Sequence, residues 1–216
     1  MMYSTLLRNY PEIQHGYTTK KDRLFNSDHI LFPRQNHTTN VSIIKDFNSC
    51  DNKHVDGVVT QARGLTIGVK TADCVPILLY DPKLYCIAAL HAGWRGTLGD
   101  IVGKLIQKLI CLGAHPSRII ASIGPSICPT CYTVDANRSE LFLKKGYDYA
   151  VDYHAGHIHV SLQDINKQQL IARGIFSSHI EIIPYCTSCH NTLLYSLRRE
   201  KQKLSSQMIS FISLQH

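Results

Sequence analysis

The sequence predicts an α+β protein with a mixed sheet. Three observations lead there: short apolar runs bounded by Gly, Asp and Pro outnumber helical stripes, two of these runs are joined by a tight turn, and one longer stripe has regular helical spacing. Strands are expected at residues 57–60, 65–69, 75–80, 86–91, 118–123 and 180–184, each a short apolar run that stops at a turn former. Asp81-Pro82-Lys83 reverses the chain between the third and fourth of these, so they form an antiparallel hairpin and the sheet is mixed rather than all parallel. Leu98, Ile101, Val102, Leu105, Ile106, Leu109 and Ile110 recur at helical spacing and stop at Gly113, which predicts one long amphipathic helix. Ser161 with Asp164 forms the start signal of a second helix that runs through Ile165 and Ile171 to Gly174. A third is expected over 137–145.

Composition narrows the class. The 216 residues are 44% hydrophobic and 18% charged, which excludes a disordered or fibrous protein. No repeat or linker divides them, so one domain over 1–216 is expected. No apolar run is long enough for a membrane span, and the first residues lack the pattern of an export signal. A cytoplasmic location follows as an expectation, and the eight cysteines then read as thiols or metal ligands rather than disulfides. The net charge of +7 suits an anionic ligand or a nucleic acid. The positive charge is dispersed, and its one concentration, at Arg198, Arg199, Lys201 and Lys203, reads as a solvated face, which makes nucleic acid the weaker partner.

The densest chemistry lies in Thr71-Ala72-Asp73-Cys74 and, one strand later, His91-Ala92-Gly93-Trp94-Arg95-Gly96. Antiparallel pairing of 75–80 with 86–91 makes Cys74 and His91 neighbours. A thiol and an imidazole so placed are either part of a metal site or a nucleophile with its base. Gly96-Thr97 is expected to open the long helix, whose unpaired amides would then create an anion site beside the guanidinium of Arg95.

Two CxxC pairs, Cys128 with Cys131 and Cys186 with Cys189, have the internal spacing of a four-cysteine zinc site. The long separation between the pairs and their apolar or glycine-turn surroundings disfavour convergence, and the cysteines are expected to pack without metal. A zinc nucleobase deaminase is excluded, because Tyr185 interrupts the needed cysteine motif after His179-Ile180-Glu181.

The strings TADCVPILLYD, ALHAGWRGT, IGPSIC followed by CYTVD, and CTSC followed by YSLRRE resemble the laccase-domain family, from about His15 to the C-terminus. The resemblance implies a layered α/β/β/α sandwich with mixed sheets, similar to the catalytic domain of cytotoxic necrotising factor. It implies one metal, zinc with copper as the alternative, held by Cys74, His91 and a first histidine that falls on His37 in Gln35-Asn36-His37. The implied activity is zinc-dependent phosphorolysis of purine nucleosides, with adenosine deamination through a zinc-bound water as a side reaction and purine nucleoside and phosphate as partners. Cys74, His91 and Arg95 are then the expected catalytic residues, and Lys20, Arg95, Thr97 and Arg198 the expected phosphate and substrate contacts. Lys20 stands where the family has Arg, and the family's N-terminal glycine pair and its T-G-R after Arg198-Arg199-Glu200 are missing, so the departures from the family pattern fall on the substrate side. A cysteine hydrolase using Cys74 and His91, a copper polyphenol oxidase and a nucleic-acid binder are the alternatives.

Overall fold

Strands β6 (Val75–Asp81) and β7 (Cys86–Ala92) pair antiparallel, from Val75 opposite Ala92 to Asp81 opposite Cys86. The computed structural model, which describes residues 1–22, 26–47, 54–201 and 206–215, makes this hairpin the centre of the larger sheet. Its turn forms because the Asp81 carboxylate accepts the backbone N–H groups of Lys83 (3.0 Å) and Leu84 (3.2 Å). Every residue of both strands is buried, which explains their unbroken apolar sequence.

The six-stranded sheet has the order β12-β8-β6-β7-β4-β3, with β3 at Val41–Ile43, β4 at Gly57–Thr60, β8 at Ile120–Ile123 and β12 at Ile180–Ile182. The outer pairs β12·β8 and β3·β4 are parallel and the inner pairs antiparallel, so the sheet is mixed. A four-stranded sheet runs β1-β13-β5-β2, from Ile13–Tyr17, Met208–Leu214, Thr66–Thr71 and Ile30–Leu31. A small third sheet joins β9 (Thr133–Val134), β10 (Val151–His154) and β11 (His157–Val160).

Two cores flank the hairpin. Leu78, Tyr80, Ile87 and Ala89 meet Ile67, Val69, Ile212 and Leu214 of the smaller sheet. On the other face Ile77, Leu79, Ala88 and Leu90 meet α2 (Ile101–Cys111), α3 (Ala136–Lys144) and α4 (Leu162–Ala172). The layers are therefore helices, six-stranded sheet, four-stranded sheet. Among the described residues no α-helix packs extensively on the four-stranded sheet, so the outer helical layer of the expected α/β/β/α arrangement is not formed by them. Among the described residues no helix is long and apolar enough to cross a membrane.

The long helix differs from expectation. A short helix α1 (Trp94–Leu98) ends at Gly99, and Asp100 adopts a left-handed conformation (φ 54°) whose side chain caps α2 by accepting Gly103 N–H. Leu98 thus belongs to α1, and Ile110, at the end of the stripe, points outward. The second helix starts as expected, with Ser161 accepting Asp164 N–H.

Candidate active site

The antiparallel register that sets Pro76 opposite His91 places Cys74, just before β6, beside the end of β7. A third group arrives from the loop before β3. The Gln35 amide bonds both backbone groups of Lys70 on β5, donating to its carbonyl (2.7 Å) and accepting its N–H (2.8 Å). That clamp fixes the loop on which His37 adopts a left-handed φ of 54°. The donor atoms of His37, Cys74 and His91 all lie within 4.8 Å of one another.

Asp56, fully buried before β4, organises this cluster. Its carboxylate accepts the N–H groups of His37 (3.0 Å) and Thr38 (2.6 Å), the Thr38 hydroxyl (2.7 Å) and Nδ1 of His91 (2.7 Å). With Nδ1 engaged, His91 presents Nε2 as its remaining ring nitrogen. Burial raises the Asp56 carboxyl, but the His91 and Thr38 hydrogen bonds outweigh it and hold the group at about 2. Burial depresses the His91 imidazole, yet Asp56 and Cys74 lift it to about 9. Burial likewise raises the Cys74 thiol, and bonds from His37 and His91 bring it down to about 7. Gly93 completes the cradle: a Cβ there would stand 2.9 Å from His37 Nδ1 and 3.2 Å from Cys74 Sγ, so a larger residue would press on both. Two imidazoles, a readily ionised thiol and a carboxylate behind one imidazole suit a zinc-like ion with an open position.

A cavity of about 500 Å³ opens on this cluster. His37, Asp73 and Cys74 form one wall, Trp94 and Tyr132 offer ring surfaces, and Arg95, Arg138, Arg198 and Lys201 supply positive charge. The guanidinium carbons of Arg95 and Arg138 lie 4.5 and 4.7 Å from the Trp94 ring centre. Arg198, on α5 (Leu197–Glu200), is fixed by donating from Nη1 to Thr133 Oγ1 (2.7 Å) and from Nη2 to Thr133 O (3.0 Å). Its backbone N–H reaches Asp73 Oδ2 (2.7 Å), and Asp73 holds a positive φ of 89° beside Cys74.

Residues 13–215 match the family described as multi-copper polyphenol oxidoreductase laccase. The chain belongs to this laccase family. Adenosine deaminase RL5, from an unknown prokaryotic organism, is 37% identical over 184 residues, 80% of this chain and 70% of that protein. A purine nucleoside phosphorylase of Bacteroides thetaiotaomicron is 34% identical over 185 residues, 80% of this chain and 68% of that protein. The crystal structure of YlmD from Geobacillus stearothermophilus superimposes with a TM-score of 0.86 at 25% identity, covering 99% of this chain and 94% of that one.

Within this laccase-family chain, five expectations change. Thr97 lies inside α1 and is fully buried, its hydroxyl accepting from Asn166 Nδ2 (3.0 Å) and its carbonyl from Gln169 Nε2 (2.8 Å), so it anchors α4 and does not face the cavity. The start of α2 is no anion site either, because Asp100 caps it and pairs with Arg173. Lys20 is drawn to Glu200 (2.8 Å) and Asn191 O (2.7 Å) and does not line the cavity. The basic run read as a solvated face instead sends Arg198 and Lys201 to the cavity, while Lys203 lies outside the described residues. The two CxxC pairs, expected to stay apart, converge: all four sulfurs lie within 4.8 Å of one another.

Sequence reasoning missed Asp56, Arg138 and Tyr132 as site residues. An Asp directly before the apolar strand 57–60 is the only local trace of the first. Tyr132 lies in the CYTVD string without being marked there as a site residue, and Arg138 carries no trace, since the loop and helix that hold them are remote in sequence from Cys74.

Proposed function

We propose that this protein is a metal-dependent purine nucleoside phosphorylase, in which phosphate attacks the ribose anomeric carbon and the purine departs. The observation that carries this reading is the shared cavity, where guanidinium groups for an anion and aromatic faces for a base lie next to the His37, Cys74 and His91 donors. Relatives named purine nucleoside phosphorylase and adenosine deaminase support the purine class. His37, Cys74 and His91 would hold the ion, zinc by donor chemistry, with copper the alternative. When bound it supplies a Lewis acid for an oxygen of phosphate or substrate.

The chain's own groups do the rest. Arg95 and Arg138, held against Trp94, and Arg198, locked to Thr133, bind phosphate in a planar, forked fashion that a lysine would not reproduce. Trp94 and Tyr132 stack on the base, and Ile127, Leu162 and Leu197 exclude water around it. Burial raises the Tyr132 phenol, so it stays protonated at neutral pH and offers an O–H to the departing base. Asp56 fixes the tautomer of His91 and keeps Nε2 aimed at the cluster.

Deamination of adenosine is a second reaction for the same cavity, favoured by the relative of that name. A cysteine hydrolase is not favoured, because His37 joins Cys74 and His91 in a three-donor cluster instead of leaving a nucleophile–base pair. Incubation of adenosine, inosine, guanosine and methylthioadenosine, each with and without phosphate, tests the proposal by chromatography of products. Free purine together with ribose 1-phosphate, formed only when phosphate is present, is the expected result. Release of ammonia alone would reassign the chain to deamination, and no turnover of any nucleoside would refute the reading.

A further inference from the structure

We propose that Cys128, Cys131, Cys186 and Cys189 form a second metal site, a four-thiolate zinc site that joins the loop after β8 to the loop after β12. It is independent of the phosphorylase reading and shares no residue with the His37 cluster.

The sulfur geometry supports it. A tetrahedral ion with zinc–sulfur bonds of about 2.3 Å has sulfur–sulfur edges of about 3.8 Å. Here Cys131 Sγ lies 3.4 Å and Cys128 Sγ 4.0 Å from Cys189 Sγ, and all four sulfurs fall within 4.8 Å. All four are free thiols, so the short approach is not a disulfide. Both loops are folded to present the sulfurs of residues i and i+3 on one side. Pro129–Cys131 forms a single 3₁₀ turn closed by Cys131 N–H on Cys128 O (3.1 Å), and His190 N–H closes the other turn on Cys186 O (2.9 Å). Cys186 Sγ accepts two backbone N–H groups, from Cys128 (3.3 Å) and Cys189 (3.4 Å), which fix its position between the loops. One of these bonds crosses between the loops.

Packing alone gives little reason for this convergence. Cys186 belongs to the core and Cys128 and Cys131 pack partly buried against it, but Cys189 is exposed, so apolar packing does not account for the fourth sulfur. Zinc bound by four thiolates supplies a strong bond between two loops that the sequence separates widely. Those loops also support the other site. Ile127, next to Cys128, donates to Asp73 O (3.0 Å), and Thr187, next to Cys186, donates to Asp73 Oδ1 (2.5 Å), so both join at the residue preceding Cys74.

Metal analysis of the full chain purified under reducing conditions tests the proposal. The Cys74→Ala/His91→Ala variant, which loses two donors of the other cluster, is expected to retain about one zinc per chain, and addition of Cys131→Ser and Cys189→Ser to remove it. Alkylation of the unsubstituted protein, read by peptide mapping, makes the result independent of how the variants fold. Cys128, Cys131, Cys186 and Cys189 are expected to resist alkylation until a chelator is added. Immediate alkylation of all four with no zinc retained by the Cys74→Ala/His91→Ala variant, a Cys131–Cys189 disulfide in the map, or iron in place of zinc would each overturn the proposal.

Discussion

Asp56 concentrates more of the site's organisation than any other residue. Each of its oxygens accepts from more than one donor: Oδ1 from His37 N–H and His91 Nδ1, and Oδ2 from the N–H groups of Asn36 and Thr38 and from the Thr38 hydroxyl. An ionised carboxylate is all acceptor and fits this demand. In Asp56→Asn one oxygen becomes an NH₂ donor, and either orientation of the amide sets it against a donor already present. The His37 loop and the His91 ring should both lose their anchor, and zinc affinity should fall about 10- to 100-fold. Competition with a chromophoric chelator measures this, and an affinity equal to that of the unsubstituted protein would show that Asp56 has no part in orienting the donors. The role of Asp56 was not legible in the sequence, because a single carboxylate before a strand gains meaning only when the chain folds His37 and His91 onto it.

At the scale of elements, legibility follows the range of the forces involved. The β6–β7 hairpin was readable because its apolar runs and its Asp81 turn lie together in sequence, and the pairing of Cys74 with His91 followed from it. The α1–α2 break was not, since the stripe from Leu98 to Ile110 continues across Gly99 and only the left-handed Asp100 interrupts it. The CxxC pairs failed for a related reason: spacing rules for compact zinc sites say nothing of loops brought together by the parallel pairing of β8 and β12. Strand β12 also ties down the N-terminal segment. Glu181 on it accepts the Ser4 hydroxyl, the Thr5 N–H (3.2 Å) and hydroxyl (2.7 Å), and the Leu6 N–H (3.2 Å). Partial burial raises this carboxyl, but those bonds outweigh it and hold it below the ordinary 4.5. A lowered folded-state value stabilises the fold above the unfolded-state value and loses that contribution as pH falls through the folded one. Glu181→Gln should therefore cost about 1 kcal/mol near neutral pH, and the difference should shrink as the solution is acidified below 4.5. Urea denaturation at several pH values checks this; a difference that does not change with pH would mean that the charge of Glu181 contributes nothing.

Across the whole molecule, the two sheets and the helical layer deliver groups as distant in sequence as His37 and Arg198 to one cavity. The smaller sheet holds the His37 loop through Gln35 and Lys70, the hairpin carries Cys74 and His91, and the loops after β8 and β12 bring Tyr132 and Arg198. On the proposed function, phosphorolysis takes place at a metal held by His37, Cys74 and His91. Ribose 1-phosphate formation from inosine and phosphate by chelator-stripped protein titrated with zinc, with the His37→Ala variant alongside, tests this. Activity should vanish on stripping and return with zinc in the unsubstituted protein, but not in His37→Ala at the same zinc concentration. Full activity in the stripped protein, or in His37→Ala, would show that phosphorolysis does not depend on a metal at His37, Cys74 and His91.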